Sequence, residues 1–418
     1  MAPLIQSLKV FFLIFTTGIT IYFFIKNYKI GFKYYMYFVI ISALLGFARP
    51  IFAEEIIIPV ILTLSAYVLQ KNRRRYDIPV TLICVLFYAI FITLLTKDAS
   101  FKGSDRLFIY GFVLLIFSNY LFSGEKNSIN FYFLIWLFAL ANILWLTTYT
   151  GEALLKPIGD SRMVELETGL SNNSEAIVRV DPNYFGFIAG NGFLLSLLFL
   201  IFRKEIYKYY PLKFLQSKWF HILIIFITIL ELWLSIRGLS RGVLLALTGA
   251  IFVFFLLNRK FKTFAVSSAL LVIFYFVFRG MFELILLRFS EDSTGSGRYE
   301  IWGAIWKTMI EENRLLVGFG LNYPWWKNWI PGGAYISSHN SWISLLLNIG
   351  LVGFGLLIIY ILKTIRINYK AKTTTSKIRL VMLTYFIVSC FSIEPLVSNI
   401  GWILFAVSIA YDKYHYSI

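Results

Sequence analysis

Cysteine and histidine are nearly missing. Cys84 and Cys390 are the only cysteines in 418 residues, and both fall inside apolar runs, so the loops have no disulfide framework to draw on. The three histidines, His221, His339 and His415, are scattered. No metal-ligand spacing, nucleotide-binding glycine loop or nucleophile triad stands out, so the sequence calls for no metal and no cofactor. Charge is thin as well: 15% of residues are charged against 59% hydrophobic, a balance that excludes a water-soluble domain. Acidic residues are the scarcer sign, 22 against 39 basic ones, which leaves a formal net charge of +17. An excess of that size can mark a nucleic-acid binder, but here Lys and Arg sit in short clusters between apolar runs rather than along one polar surface. No nucleic-acid partner is expected, and no internal repeat or low-complexity tract is present.

Apolar length is what the chain has. Crossing about 30 Å of hydrocarbon takes roughly 20 apolar residues per helix, and windows of that kind recur from Phe11 to Ala410. The pattern predicts an all-α, polytopic transmembrane helical bundle of about 12 to 13 spans in a single integral membrane domain, residues 1–418. The spans are expected at 9–25, 34–48, 52–69, 78–96, 107–123, 130–149, 184–202, 219–236, 242–258, 263–286 and 341–362, with a hairpin in 380–410 that turns at Glu394-Pro395 and Ser398-Asn399. The stretch Val10 to Phe24 reads as a retained span, not a signal peptide. Basic clusters at 26–33, 71–75, 203–213, 259–262 and 363–379 are assigned to the cytoplasm by the positive-inside rule. Two long loops, 150–183 and 287–340, then fall outside. In the second, Ile301, Trp302, Ile305, Trp306, Met309 and Ile310 recur at helical spacing, which predicts an amphipathic helix over about 298–311, lying along the membrane surface.

The candidate chemistry gathers on that outer side. The run Ile236-Arg237-Gly238-Leu239-Ser240-Arg241-Gly242 falls at the junction of two spans. Arginine is permanently charged and forks onto phosphate oxygens. Arg237 and Arg241, on one face if the junction is helical, therefore suit a lipid-linked phosphate or diphosphate; snorkelling toward ordinary headgroups is the bland alternative. Arg298 stands at the start of the amphipathic helix, where a substrate headgroup would sit. His339-Asn340 opens a span directly after the second loop, with Ser337 and Ser338 as plausible caps, and this histidine is a candidate proton acceptor. Arg179 and Asp181-Pro182-Asn183 lead from the first loop into the seventh span, where Asp181 and Asn183 either cap the helix or contact substrate. Gly350, Gly353 and Gly355 would let a neighbouring helix approach closely, and Gly318, Gly320, Asn322 and Pro324 would reverse the chain. Glu231, Glu394 and the pair Arg279 and Glu283 are costly in lipid and need partners or a cavity.

Taken together these residues resemble the O-antigen ligase and O-antigen polymerase superfamily. The resemblance spans mainly Asp181 to Gly355. It rests on Asp181-Pro182-Asn183, Ser240-Arg241-Gly242, Gly297-Arg298-Tyr299-Glu300-Ile301-Trp302, Gly318-Phe319-Gly320, and His339-Asn340 followed by Gly350-Leu351-Val352-Gly353. It implies a metal-independent glycosyltransferase of the bacterial inner membrane, active on the extracytoplasmic face, that uses glycan carried on undecaprenyl diphosphate. By position, Arg241 and Arg298 resemble the pair that holds the diphosphate, and His339 the base or acceptor-orienting residue. Arg237 comes from spacing alone. Asn340, Asp181, Asn183 and Arg179 complete the expected substrate contacts. The acceptor is expected to be a second lipid-linked repeat unit, as in a polymerase; a ligase, with lipid A core as acceptor, is the alternative, and a lipid-linked oligosaccharide flippase or transporter is the rival from another class. Membrane lipids and a chain-length regulator are the remaining candidate partners.

Overall fold

The computed structural model describes residues 79–99, 104–149, 164–167, 177–180, 182–209, 216–237, 240–258, 297–328 and 337–411, with isolated positions between 19 and 41. The spans expected at 9–25, 34–48, 52–69 and 263–286 lie wholly or largely outside the described residues, as do Asp181, Arg279 and Glu283. In chain order the helices are α1 (Val80–Leu95), α2 (Ser104–Ile116), α3 (Ser118–Phe122), α4 (Glu125–Tyr149), α5 (Pro182–Ile201), α6 (Arg203–Tyr207), α7 (Lys218–Arg237), α8 (Arg241–Asn258), α9 (Arg298–Glu311), α10 (Ser341–Ala371), α11 (Thr374–Ser389) and α12 (Asn399–Ile409). Stretches of α4, α5, α7, α8 and α10 are each long and apolar enough to cross a membrane, and the chain is a polytopic membrane protein. One addition interrupts the helical pattern. Strands β1 (Val164–Glu167) and β2 (Ile177–Val180) pair antiparallel within the first long loop, with Glu165 opposite Arg179 in register.

The chain divides into two compact units, one of residues 1–78, 109–238 and 402–418, the other of 79–108 and 239–401. In the first, α5 packs between α4 and α7. Helix α7 shows how lipid shapes the pattern. Trp219, Ile222, Phe226, Ile229 and Trp233 form an exposed apolar stripe, while Ile224, Ile227, Glu231 and Leu234 are buried. Its outward face is therefore as apolar as its inward one, as expected when the solvent is hydrocarbon. The buried Glu231 has found partners. Its Oε2 accepts a 2.6 Å bond from Ser196 Oγ, and that oxygen accepts a 2.6 Å bond from Trp136 Nε1, so one polar chain ties α4, α5 and α7.

Gly192 on α5 makes room for the carboxylate, since a Cβ there would overlap Glu231 Oε1. A Gly192→Ala variant should therefore lose about 1–3 kcal/mol of stability, read as a lower Tm of the detergent-solubilised protein. Gly303→Ala is the control, because a Cβ on that α9 residue meets nothing within 4 Å among the described residues. Equal Tm values for the two variants would refute this account of Gly192.

In the second unit, α8 packs on α11, and α10 on α1, α11 and α9. Helix α10 is not continuous. Gly350 sits at φ 59 and ψ −176 inside it, a conformation essentially open to glycine alone. Beside the break lies the segment 315–320 from the second long loop, and the two backbones pair directly. Phe319 N donates to Leu347 O at 2.9 Å, Gly320 N to Asn348 O at 2.9 Å, Leu351 N to Leu315 O at 3.0 Å and Val352 N to Leu316 O at 3.1 Å. The far side of the segment is held by α1, through Tyr88 Oη to Val317 O at 3.0 Å and Leu321 N to Thr93 Oγ1 at 2.9 Å. Gly350 thus breaks a helix so that a second backbone can bond to it, rather than smoothing a helix face, and a Cβ on Gly355 would meet nothing within 4 Å among the described residues. Gly318 and Gly320 are inserted between helices, not placed in a simple surface reversal. A cluster of Ile305, Met309, Phe319, Trp325, Leu346 and Leu347 seals the contact.

Candidate functional site

The start of α10 is stapled to the end of α11 and the turn after it. The last carbonyls of a helix lack partners within it, and here the first donors of α10 supply them. Trp342 Nε1 donates to Ile387 O at 3.0 Å, Ser341 N to Cys390 O at 2.9 Å, and Asn340 Nδ2 to Phe391 O at 3.1 Å. The other end of the Asn340 amide caps α10, its Oδ1 accepting from Trp342 N at 2.9 Å and Ile343 N at 3.1 Å. Asn340 is therefore the cap that Ser337 and Ser338 were expected to be.

The two serines turn to Glu394 instead. Its carboxylate accepts from Ser337 Oγ, from Ser338 Oγ at 2.6 Å and from Ser344 Oγ at 3.0 Å. Hydrogen bonds to an ionised acceptor are the stronger kind, so the hairpin turn that carries Glu394 grips both residues ahead of His339. His339 itself is exposed and has φ 51, the left-handed region that histidine enters more readily than most residues. Its backbone N donates to Ser337 Oγ at 3.2 Å. The effect is an outward-facing imidazole on a rigidly held backbone.

Arg298 is the first residue of α9 and is half-buried. One turn on, Trp302 Nε1 donates to Ser338 O at 2.9 Å. Residues four apart share a helix face, so Arg298 lies on the face of α9 that meets the His339 segment. Arg241, also half-buried, is the first residue of α8. Its neighbour Gly242 lies so close to Ser392 that a Cβ there would overlap the serine hydroxyl, and this puts the start of α8 against the same turn that binds Asn340. The starts of α8, α9 and α10 are thus tied, directly or through one residue, to the strip from Ser389 to Glu394 and the strip from Ser337 to Ser341. Each helix start adds its partial positive charge to those of the two arginines.

The remaining expected residues fare differently. Ser240 is non-helical between α7, which ends at Arg237, and α8, so Arg237 and Arg241 do not share a helical face; a helix end and a helix start replace the single helix that spacing allowed. Arg179 belongs to β2 and Asn183 to the first turn of α5, both in the first unit. The face of α9 expected to lie on the membrane divides. Ile305 and Met309 are buried, while Trp306 and Ile310 stay exposed. In the sequence Glu394 reads only as a charge in need of partners at a hairpin turn; the two serines beside the candidate histidine are the signal that could locate them. Further along the second loop, Tyr323 stacks on Phe319 with ring centroids 4.0 Å apart and donates to Glu312 at 2.9 Å. Burial first, then that bond and the negative charges of Glu312 and Asp98, push its hydroxyl up to about 12 against the opposing Arg314.

Residues 223–358 match the family described as O-antigen ligase. No curated protein and no solved structure matches the chain.

Proposed function

We propose that this chain, a member of the O-antigen ligase and polymerase superfamily through residues 223–358, is a glycosyltransferase that moves a glycan from undecaprenyl diphosphate to a sugar hydroxyl. The observation that carries the reading is the tying together of the starts of α8, α9 and α10, which bear Arg241, Arg298 and His339. Two guanidiniums and three helix starts make an electropositive setting suited to a diphosphate. His339 takes the proton of the acceptor hydroxyl as its oxygen attacks the anomeric carbon. The bond from that carbon to the diphosphate oxygen breaks, and its electron pair leaves with the lipid diphosphate. Arg241 and Arg298 stabilise the charge that grows there, an effect worth several kcal/mol when donors are held in place beforehand. This step needs no metal, and the positive-inside rule, applied to the basic clusters of the sequence, favours the extracytoplasmic face of the inner membrane for the site.

As acceptor we favour a second lipid-linked repeat unit, the polymerase reaction. The description of the matching family favours lipid A core, the ligase reaction, as the second reading. Purified protein given a lipid-linked repeat as its only substrate separates them: a ladder of longer glycans on the carrier identifies a polymerase, and product only after addition of lipid A core a ligase. Movement of intact substrate across the bilayer with no new glycosidic bond would overturn both. In whichever assay is productive, His339→Ala should lower turnover at least about a hundredfold, the usual scale of general-base catalysis. Full activity in that variant would remove the assigned base.

A further inference from the structure

At the Lys218 end of α7, the end away from Arg237, the surface opens into a pocket of about 870 Å3 lined by Arg203, Lys204, Lys208, Lys218, Tyr207 and His221 among others. Among the described residues, four of those lining it are cations and none is a carboxylate. All four cations are exposed. Lysines alone at a helix end are ordinary interfacial anchors. What sets this place apart is a second cavity beside it, a groove of about 290 Å3 walled by Phe133, Trp136, Phe199, Phe220 and Ile224.

The two cavities share Tyr207. That ring meets His221 edge-on, with centroids 5.6 Å apart. His221 Nδ1 donates to Ser217 O at 2.7 Å, which turns Nε2 toward the Tyr207 hydroxyl 3.5 Å away. The tyrosine is thereby held where the two cavities meet, its hydroxyl beside a residue of the charged pocket. On the same helix Trp219, Ile222 and Phe226 are exposed and apolar, and Ile222 also lines the pocket, so the pocket adjoins a surface suited to hydrocarbon.

A cationic pocket joined to an apolar groove fits a molecule with an anionic head and a hydrocarbon tail. We propose that this is a binding site for an anionic phospholipid, with the phosphate headgroup among Arg203, Lys204, Lys208 and Lys218 and one acyl chain in the groove beyond Tyr207. Basic pockets between transmembrane helices are suited to such headgroups, because the phosphate replaces the mutual repulsion of the cations with attraction. None of these residues takes part in the proposed transfer reaction, so the failure of either reading leaves the other standing.

The test uses the purified full chain in neutral detergent, with binding of single lipids followed by native mass spectrometry. Phosphatidylglycerol should bind at least tenfold more tightly than phosphatidylcholine of the same chain length. An Arg203→Gln, Lys208→Gln, Lys218→Gln variant should lose that preference. Glycerol phosphate, the head without its chains, and inorganic phosphate should each bind at least tenfold more weakly than the lipid. Equal binding of the two lipids, or a variant that keeps the preference, overturns the headgroup assignment. Free phosphate or glycerol phosphate binding as tightly as the lipid overturns the role of the groove. Should the variant fold poorly, the comparison among ligands on the unaltered protein decides the matter alone.

Discussion

An Arg298→Ala protein should insert into the membrane normally and transfer glycan about a hundredfold more slowly or worse, the scale expected when one fixed donor to a growing negative charge is lost. Arg298 opens α9, and that helix is anchored at other residues as well: Ile305 and Met309 are buried in the core, and Trp302 bonds to Ser338. Removing the guanidinium should therefore leave the helix in place. Arg298→Lys should recover part of the rate but not all, since an ammonium keeps the charge and loses the planar fork that fits phosphate. The comparison is made on kcat with saturating lipid-linked donor, alongside Lys307→Ala on the same helix. Lys307 is exposed and pairs with the exposed Glu311 at 3.8 Å, and its loss should change little. Near-normal turnover in Arg298→Ala would reject the role proposed for the arginine.

The largest structural effect is expected at Gly350. A Cβ there would enter the left-handed region at φ 59 and overlap Leu316 O, with Gly318 N and Val317 C both 2.5 Å away. All three are backbone atoms, so no side chain can swing aside to make room. Strain of about 1–3 kcal/mol adds to the loss of backbone hydrogen bonds worth roughly 1 kcal/mol each, and Gly350→Ala should lose on the order of 4 kcal/mol. Thermal unfolding of the solubilised protein measures it, with Gly355→Ala as the control in the same helix, where added volume meets nothing within 4 Å among the described residues. If both variants melt with the unaltered protein, the pairing of the loop with α10 is not what holds this unit together.

Much of the helical layout was legible before any coordinates. The runs at 78–96, 184–202, 219–236 and 242–258 lie within two residues of α1, α5, α7 and α8 at either end. In hydrocarbon every backbone group must be satisfied within its own segment, so apolar length alone predicts a helix. The break at Gly350 was not legible, for the complementary reason: its unpaired groups are met by residues about thirty positions earlier, and no local pattern announces that. A glycine in mid-span reads as a close-packing face unless the partner backbone is known. The strands β1 and β2 are four residues each, too short for alternation to stand out in a polar loop.

The candidate residues themselves could be chosen by type and position, because arginine and histidine are conspicuous at the edges of apolar runs. What holds them could not. Ser337 and Ser338 look like caps in sequence, and only the arrival of Glu394 from the hairpin turn gives them other work. Likewise, Arg237 and Arg241 share a helical face only if the chain stays helical through Ser240, and it does not.

The pairing of residues 315–320 with both sides of the Gly350 break also limits how this protein can vary. Neither stretch completes its own backbone bonding, so each serves as the missing half of the other's secondary structure. A loop transplanted without its helix, or a single residue inserted into either partner, would strand amides where no water is available to receive them. The two stretches can be exchanged between proteins only together, as one inherited part.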